Sequence, residues 1–178
     1  MAEIRLAQPS DSQWHWEHLN RIHQESGRDG DFIFNPQEDW GVPLDNFMKS
    51  YEAKLSKSFP EIGWARTWVL ADADGIYGDL QLMHRPPLKN ALHRALLMMG
   101  IQRSHRNQGL GSKMMTEALT WAKAQPGLDW IELHVFENNL PAKKLYTRFG
   151  FREIGTTPDM FRVHGAQIAN TSMVLKLR

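Results

Sequence analysis

Ile101-Gln102-Arg103-Ser104-His105-Arg106-Asn107-Gln108-Gly109-Leu110-Gly111-Ser112 is the stretch around which the chain is organised. The apolar run Leu96 to Ile101 leads into it like a strand. A patterned helix leaves it, with Leu110, Met114, Ala118 and Ala122 on one stripe and Met115 and Leu119 beside it. A helix start offers N–H groups without intrahelical partners, its dipole favours negative charge, and glycines let a ligand approach the backbone. With arginine close by, the stretch predicts an anion site, and phosphate is the expected guest. Two common phosphate loops do not fit. A dinucleotide fingerprint needs Gly or Ala where Met114 stands, and a P-loop needs Gly-Lys-Ser/Thr where the order is Gly111-Ser112-Lys113. On this stretch alone, a glycine-rich turn with no ligand explains the pattern equally well.

A second motif lies downstream. Ile131-Glu132-Leu133-His134-Val135 alternates like a strand, so His134 and Glu132 share one face. Asn138-Asn139 follows, and then Leu140-Pro141-Ala142-Lys143-Lys144-Leu145-Tyr146-Thr147-Arg148-Phe149-Gly150-Phe151. Ala142, Leu145, Tyr146 and Phe149 fall on one helical face. Asn139 suits an N-cap, Pro141 the first turn, and Gly150 the C′ stop.

Arg106-x-x-Gly109-x-Gly111 after an apolar strand, followed by Asn139-x-x-Ala142-x-x-Leu145-Tyr146 and Gly150-Phe151, resembles the Gcn5-related N-acetyltransferase (GNAT) superfamily. The resemblance runs from about Trp68 to the C-terminus. It is strongest to the branch with ribosomal-protein N-terminal and small-amine acetyltransferases. It implies an α+β fold: a mixed, mostly antiparallel sheet of six to seven strands, helices on both faces, and a central strand pair that splays apart. It also implies acetyl-CoA as co-substrate and a primary-amine acceptor (small molecule or protein N-terminus), and it is compatible with a homodimer; a cytoplasmic location is expected from the polar N-terminal residues and the lack of an apolar span. One domain is expected over 1–178, with an acceptor-shaping segment at about 8–64 and an acetyl-CoA-binding core at about 65–178.

By the same resemblance, the backbone of Asn107, Gln108, Gly109, Leu110, Gly111 and Ser112 would hold the pyrophosphate, with Arg106 adding charge. The main chain of Met99 and Ile101 would hold the pantetheine arm and donate to the thioester oxygen, and Asn139 would bond the same arm. Tyr146 stands where the family's general acid stands. A phenol of ordinary pKa ~10 is protonated at neutral pH and able to donate to a thiolate. A core tyrosine on an amphipathic helix is the plain alternative. Ribosomal-protein alanine acetyltransferases carry a glutamate five residues before the motif asparagine, and His134 occupies that position here. Imidazole is a competent base near neutral pH, which makes His134 the candidate base; His84, His93 and His164 are weaker ones. The alternatives are a base acting through a water, and no base at all for a partly neutral amine. The departure from an acid at this position keeps open a second function class, an acyl-CoA-binding module without turnover.

Composition narrows the field. The 178 residues are 42% hydrophobic and 23% charged, which fits one globular domain with a core. Net charge +1 gives no global attraction to nucleic acid or membrane, and only the basic turn Arg103 to Arg106 speaks for the former. With no cysteine, disulfides and thiolate chemistry are excluded, and the histidines lack metal-ligand spacing. No apolar run nears the ~20 residues of a membrane span, so a soluble intracellular protein is expected.

Further features fill in the N-terminal half. Glu3 to Ala7 reads as a strand, and Ser10 with Gln13 reads as a capping box for a helix to about Gln24. Trp16, Leu19 and His23 would face inward on it. Pro43 starts a second helix with Leu44, Phe47, Met48, Tyr51 and Leu55 on its inner face. Between them, Phe32, Phe34, Glu38, Asp39 and Trp40 are candidates to touch the acceptor, and the acids there hint at a cationic one. Ala65–Ala71 and Ile76–Leu82 read as a hairpin about Asp72–Gly75. Near the end, Phe151–Thr156 and Thr171–Leu177 are the expected strands, with a loop carrying Arg162 and His164 between them.

Overall fold

The sheet grows from hairpins. In the computed structural model, which describes residues 2–28, 41–85, 89–163 and 165–178, β1 (Glu3–Leu6) pairs with β2 (Ala65–Asp72). β2 turns at Asp72–Gly75 into β3 (Gly75–Met83), which pairs with β4 (Arg94–Ile101). β5 (Trp130–Phe136), β6 (Arg152–Val163) and β7 (Ala166–Lys176) complete a seven-stranded sheet in the order β1-β2-β3-β4-β5-β7-β6. Every pairing is antiparallel except β4 with β5. That parallel pair holds register only over Arg94↔Trp130, Ala95↔Ile131 and Leu96↔Glu132. Beyond Leu96 the two strands part, which is the expected splay. It leaves one edge of β4 without a strand on the β5 side, and unpaired edges need partners from elsewhere.

Helices cover both faces. α3 (Leu110–Ala124) buries Met114, Met115, Ala118, Leu119 and Ala122, the stripe the sequence predicts. It packs with Leu80 and Leu82 of β3, Ala95 and Leu97 of β4, and Ile131 and Leu133 of β5 in the main apolar core. α4 (Leu140–Arg148) adds Tyr146 to that core. Its N-cap Asn139 accepts from the Ala142 amide at 3.2 Å, and Gly150, at φ +90°, carries the chain out.

The opposite face carries α1 (Ser12–Glu25) and α2 (Leu44–Leu55), and here the sequence reading needs correction. α1 buries Ser12, His15, His18 and Ile22, while Trp16, Leu19 and His23 are only half-buried. The buried face is rotated because β3 offers it a carboxylate. Asp79 Oδ1 sits 3.1 Å from His18 Nε2, and Asp79 Oδ2 sits 3.2 Å from His15 Nε2, the latter contact lacking hydrogen-bond geometry. Burial alone would raise the Asp79 carboxyl, but the two imidazoles hold it below the usual carboxylate range. The capping box also lies two residues earlier, where Gln8 and Asp11 cap a short 3-10 turn and Asp11 accepts from both Arg5 Nη atoms at 2.7 and 2.8 Å. On α2 the expected face points inward, with Tyr51 buried and Phe47 and Met48 half-buried.

β6 and β7 run far beyond their expected ends and form a long hairpin where a loop was expected. Register shifts between Thr157 and Phe161 and a positive φ of 47° at Asp159 absorb Pro158, which in sequence looks like a break. Phe32, Phe34, Glu38, Asp39, Trp40 and His164 lie outside the described residues.

Candidate functional site

A cavity of about 720 Å³ opens where β4 and β5 part, and it reaches both faces of the sheet. On the α3/α4 face it is bounded by the loop between β4 and α3. That loop reverses through left-handed backbone at Asn107 (φ 62°) and Gly109 (φ 73°), and Gly109 is the α3 N-cap, with no side chain capping it. Among the described residues, the amides of Asn107 through Ser112 donate to nothing. Backbone N–H groups converging in such a turn form an anion-binding concavity, reinforced by the helix dipole. Gly111 adds close approach: a Cβ there would stand 3.0 Å from Met99 Cε and 3.3 Å from Leu145 Cδ2. A diphosphate and a pantetheine arm fit what is present: unpartnered donors at one end, and the open β4 edge with Met99 and Ile101 leading inward.

The predicted residues are brought together with two qualifications. Met99, Ile101, Asn107, Gly109, Leu110, Gly111, Ser112, Asn139, His134 and Tyr146 all line the cavity. Gln108 belongs to the loop but not to the lining; its side-chain Nε2 donates to the Ser104 carbonyl at 3.2 Å. Arg106 lines the cavity, yet its guanidinium is engaged behind the loop. Nε donates to the Ile101 carbonyl at 2.7 Å and Nη2 to Glu25 Oε2 at 2.8 Å. Glu25 also takes the Arg103 amide at 2.9 Å, so the end of α1 braces the loop. Sequence reasoning missed Glu25, because nothing local marks a partner about 80 residues away.

Tyr146 and His134 approach the gap from opposite faces. Tyr146 is buried against Phe151 and the α3/α4 core, and its hydroxyl makes no hydrogen bond to the described residues. Burial pushes its phenol up to about 12. His134 is exposed on the α1/α2 face, its Nδ1 3.1 Å from Ser172 Oγ. Its face-mate Glu132 is buried between Arg85, 2.5 Å away, and Arg94, 3.3 Å away. Of the weaker histidines, His84 is buried with Nδ1 accepting from the Gly63 amide at 3.3 Å, a structural role. Among the described residues no cluster of three or more His, Asp or Glu could hold a metal, and no helix is long and apolar enough to cross a membrane.

A splayed parallel pair in an otherwise antiparallel sheet, with an amide-lined turn at its mouth, is a site suited to an extended ligand that ends in an anion. The chain belongs to the acetyltransferase (GNAT) family, whose family model matches residues 37–151. Solved structures share the fold across nearly the whole chain. A GNAT-family acetyltransferase from Streptococcus pneumoniae aligns at 22% identity over 99% of both chains, with a TM-score of 0.84. A ribosomal-protein-alanine N-acetyltransferase from Brucella melitensis aligns at 16% identity over 98% of this chain and 99% of its own, TM-score 0.80. A Salmonella typhimurium protein held to be an acetyltransferase, solved with its cofactor acetyl-CoA, aligns at 18% identity over 100% and 95%, TM-score 0.81.

Proposed function

We propose that this enzyme N-acetylates a primary amine by direct attack, working in the cytoplasm as one acetyltransferase domain. The observation that carries the reading is a single cavity lined by Asn107, Gly109, Leu110, Gly111 and Ser112 of the loop with its unpartnered amides, by the open β4 edge and by Tyr146. Acetyl-CoA supplies an activated thioester carbonyl. The loop amides bind its diphosphate, with the Arg106–Glu25 brace holding the loop in shape. The main chain of Met99 and Ile101 orients the arm and presents a donor to the carbonyl oxygen, and Asn139 offers its amide nitrogen while its oxygen caps α4.

From the other face the amine comes in past His134, which takes the proton the nitrogen sheds as the C–N bond forms. Tyr146 gives its proton to the sulfur as the C–S bond breaks, and solvent restores both groups. A phenol held near 12 stays protonated at any working pH, which suits an acid and not a base. Positioning of both partners in one cavity is the larger contribution, worth ~7–11 kcal/mol in favourable cases.

Thiol release from acetyl-CoA in the presence of an amine panel tests the reading. Release that depends on an amine supports it. Tight acetyl-CoA binding with release no faster than hydrolysis for every amine would sink it.

A further inference from the structure

The acceptor side of the cavity carries a charge signature. No aspartate or glutamate lines the cavity among the described residues. At its α1/α2 end, one carboxylate serves two guanidiniums. Glu132 Oε1 accepts from Arg85 Nη1, and Glu132 Oε2 accepts from Arg94 Nε and Nη2. The trio keeps one positive charge in excess. Arg94 is turned aside over the Trp130 ring, 5.2 Å from its centroid, and does not line the cavity. Arg85 does line it, with 44% of its side chain exposed and with Nε and Nη2 left without a described partner. A guanidinium with donors to spare at the edge of a pocket is a carboxylate receptor.

The remaining wall is apolar. Leu96 and Met98 project from β4, and Met160 and Phe161 project from the long β6–β7 hairpin. Met98 and Met160 are about half exposed, large apolar surface held open inside a cavity. Asn170, nearly buried on β7 beside His134's partner strand position, adds a polar group with no described hydrogen bond. Apolar walls with few polar groups are how small-molecule sites are built.

Resting on the acetyltransferase reading above, we propose that the acceptor is an α-amino acid with an apolar side chain. Arg85 pairs with its carboxylate, Met98, Met160 and Phe161 pack its side chain, and its amine faces His134. A polyamine would meet Arg85 and, among the described lining residues, no carboxylate.

The test compares phenylalanine and methionine with their primary amides and with spermidine, by thiol release from acetyl-CoA. The acids are expected to exceed their amides in kcat/KM by about tenfold or more, because the amide offers no carboxylate to the Arg85 donors that Glu132 leaves over. Arg85→Gln should raise KM for the acid about tenfold with kcat little changed, and leave KM for the amide as it was. Arg85→Lys should restore part of the preference, whereas Arg94→Gln, which disturbs the same Glu132 pair outside the cavity, should leave the acid-to-amide ratio intact. Calorimetric binding of phenylalanine to the coenzyme A complex gives a readout without turnover and should weaken in Arg85→Gln. Spermidine or the amides turned over as well as the acids, or an Arg85→Gln effect equal on acid and amide, overturns the proposal. Thiol release with no amine, while phenylalanine still binds through Arg85, would instead overturn the acetyltransferase reading and leave the carboxylate site standing.

Discussion

The two ends of the cavity are built by opposite means. At the α3 end, recognition is by backbone: a dozen consecutive residues turn six amides into one concavity, and side chains matter mainly by being absent at Gly109 and Gly111. At the other end, recognition is by side chains from β4, β5, the β6–β7 hairpin and Arg85 just past β3, brought together from separate parts of the chain. A main-chain site demands particular φ values and bare Cα atoms, so few residue patterns satisfy it. A side-chain site is satisfied by many combinations. The first end therefore suits an invariant ligand part, and the second can be re-tailored while the first stays fixed.

The largest effect is expected where the backbone end is filled. Gly111→Leu would drive a branched side chain into the space between Met99 and Leu145, where even a Cβ is tight. Acetyl-CoA affinity by calorimetry should fall by about 100-fold or more, ~2.7 kcal/mol, with a melting curve confirming a folded protein. Binding within threefold of the parent would place the diphosphate somewhere other than this turn, and the contrast between the two ends would collapse.

That contrast also explains what the sequence discloses. The loop, α3, Asn139 and α4 follow from contiguous patterns whose causes are local: an αL glycine at a helix start, a capping asparagine, a 3.6-residue stripe. The splay is expected only from the family resemblance. The buried face of α1 does not follow, because His15 and His18 read as polar and are drawn inward by Asp79, which the chain supplies some 60 residues later, and by contacts with Tyr51 and Gln102. The true reach of β6–β7 is hidden for a similar reason. Pro158 and Gly165 look like breaks until the register shift and the hairpin turn place them where strands tolerate them. Likewise His134 is legible as a candidate base by its place before Asn139, whereas the Glu132–Arg85–Arg94 trio exists only once β3, β4 and β5 lie side by side.

Tyr146→Phe comes next, sharpening the division between binding and chemistry. It removes a hydroxyl that bonds to no described residue, so acetyl-CoA affinity should stay within about threefold while kcat drops about 100-fold, within the usual range for a general acid. The pH profile gives an independent check. With the folded phenol near 12, turnover should show no loss between pH 8 and 10 from the acid deprotonating. Its sign in stability agrees: the unfolded phenol titrates near ~10, so the native state loses support only as pH climbs from there toward 12. A falling limb at pH 9 to 10 in the parent that vanishes in Tyr146→Phe would show a phenol far less buried than this one.

A smaller change is expected at His134. His134→Ala should lower kcat/KM about tenfold near neutral pH and less at higher pH, where more of the amine is already neutral. Acetyl-CoA affinity should not move. A loss that persists at high pH would assign His134 to binding the acceptor and not to taking its proton.

The smallest effect tests the one link between the two ends. Glu25, at the C-terminal end of α1 on the acceptor face, holds the Arg103 amide and the Arg106 guanidinium of the phosphate turn. Both partners of the Arg106 pair are about one-fifth exposed. Solvent screening therefore limits the pair to about 1 kcal/mol. Glu25→Gln keeps the size and an acceptor for the amide but drops the charge, so acetyl-CoA binding should weaken only about three- to fivefold. If the ends are independent, KM for the amine will be unchanged. If α1 transmits strain from the turn to the acceptor wall, amine KM will rise in step with the loss of acetyl-CoA affinity, and the backbone end will have to be counted as setting the shape of the side-chain end.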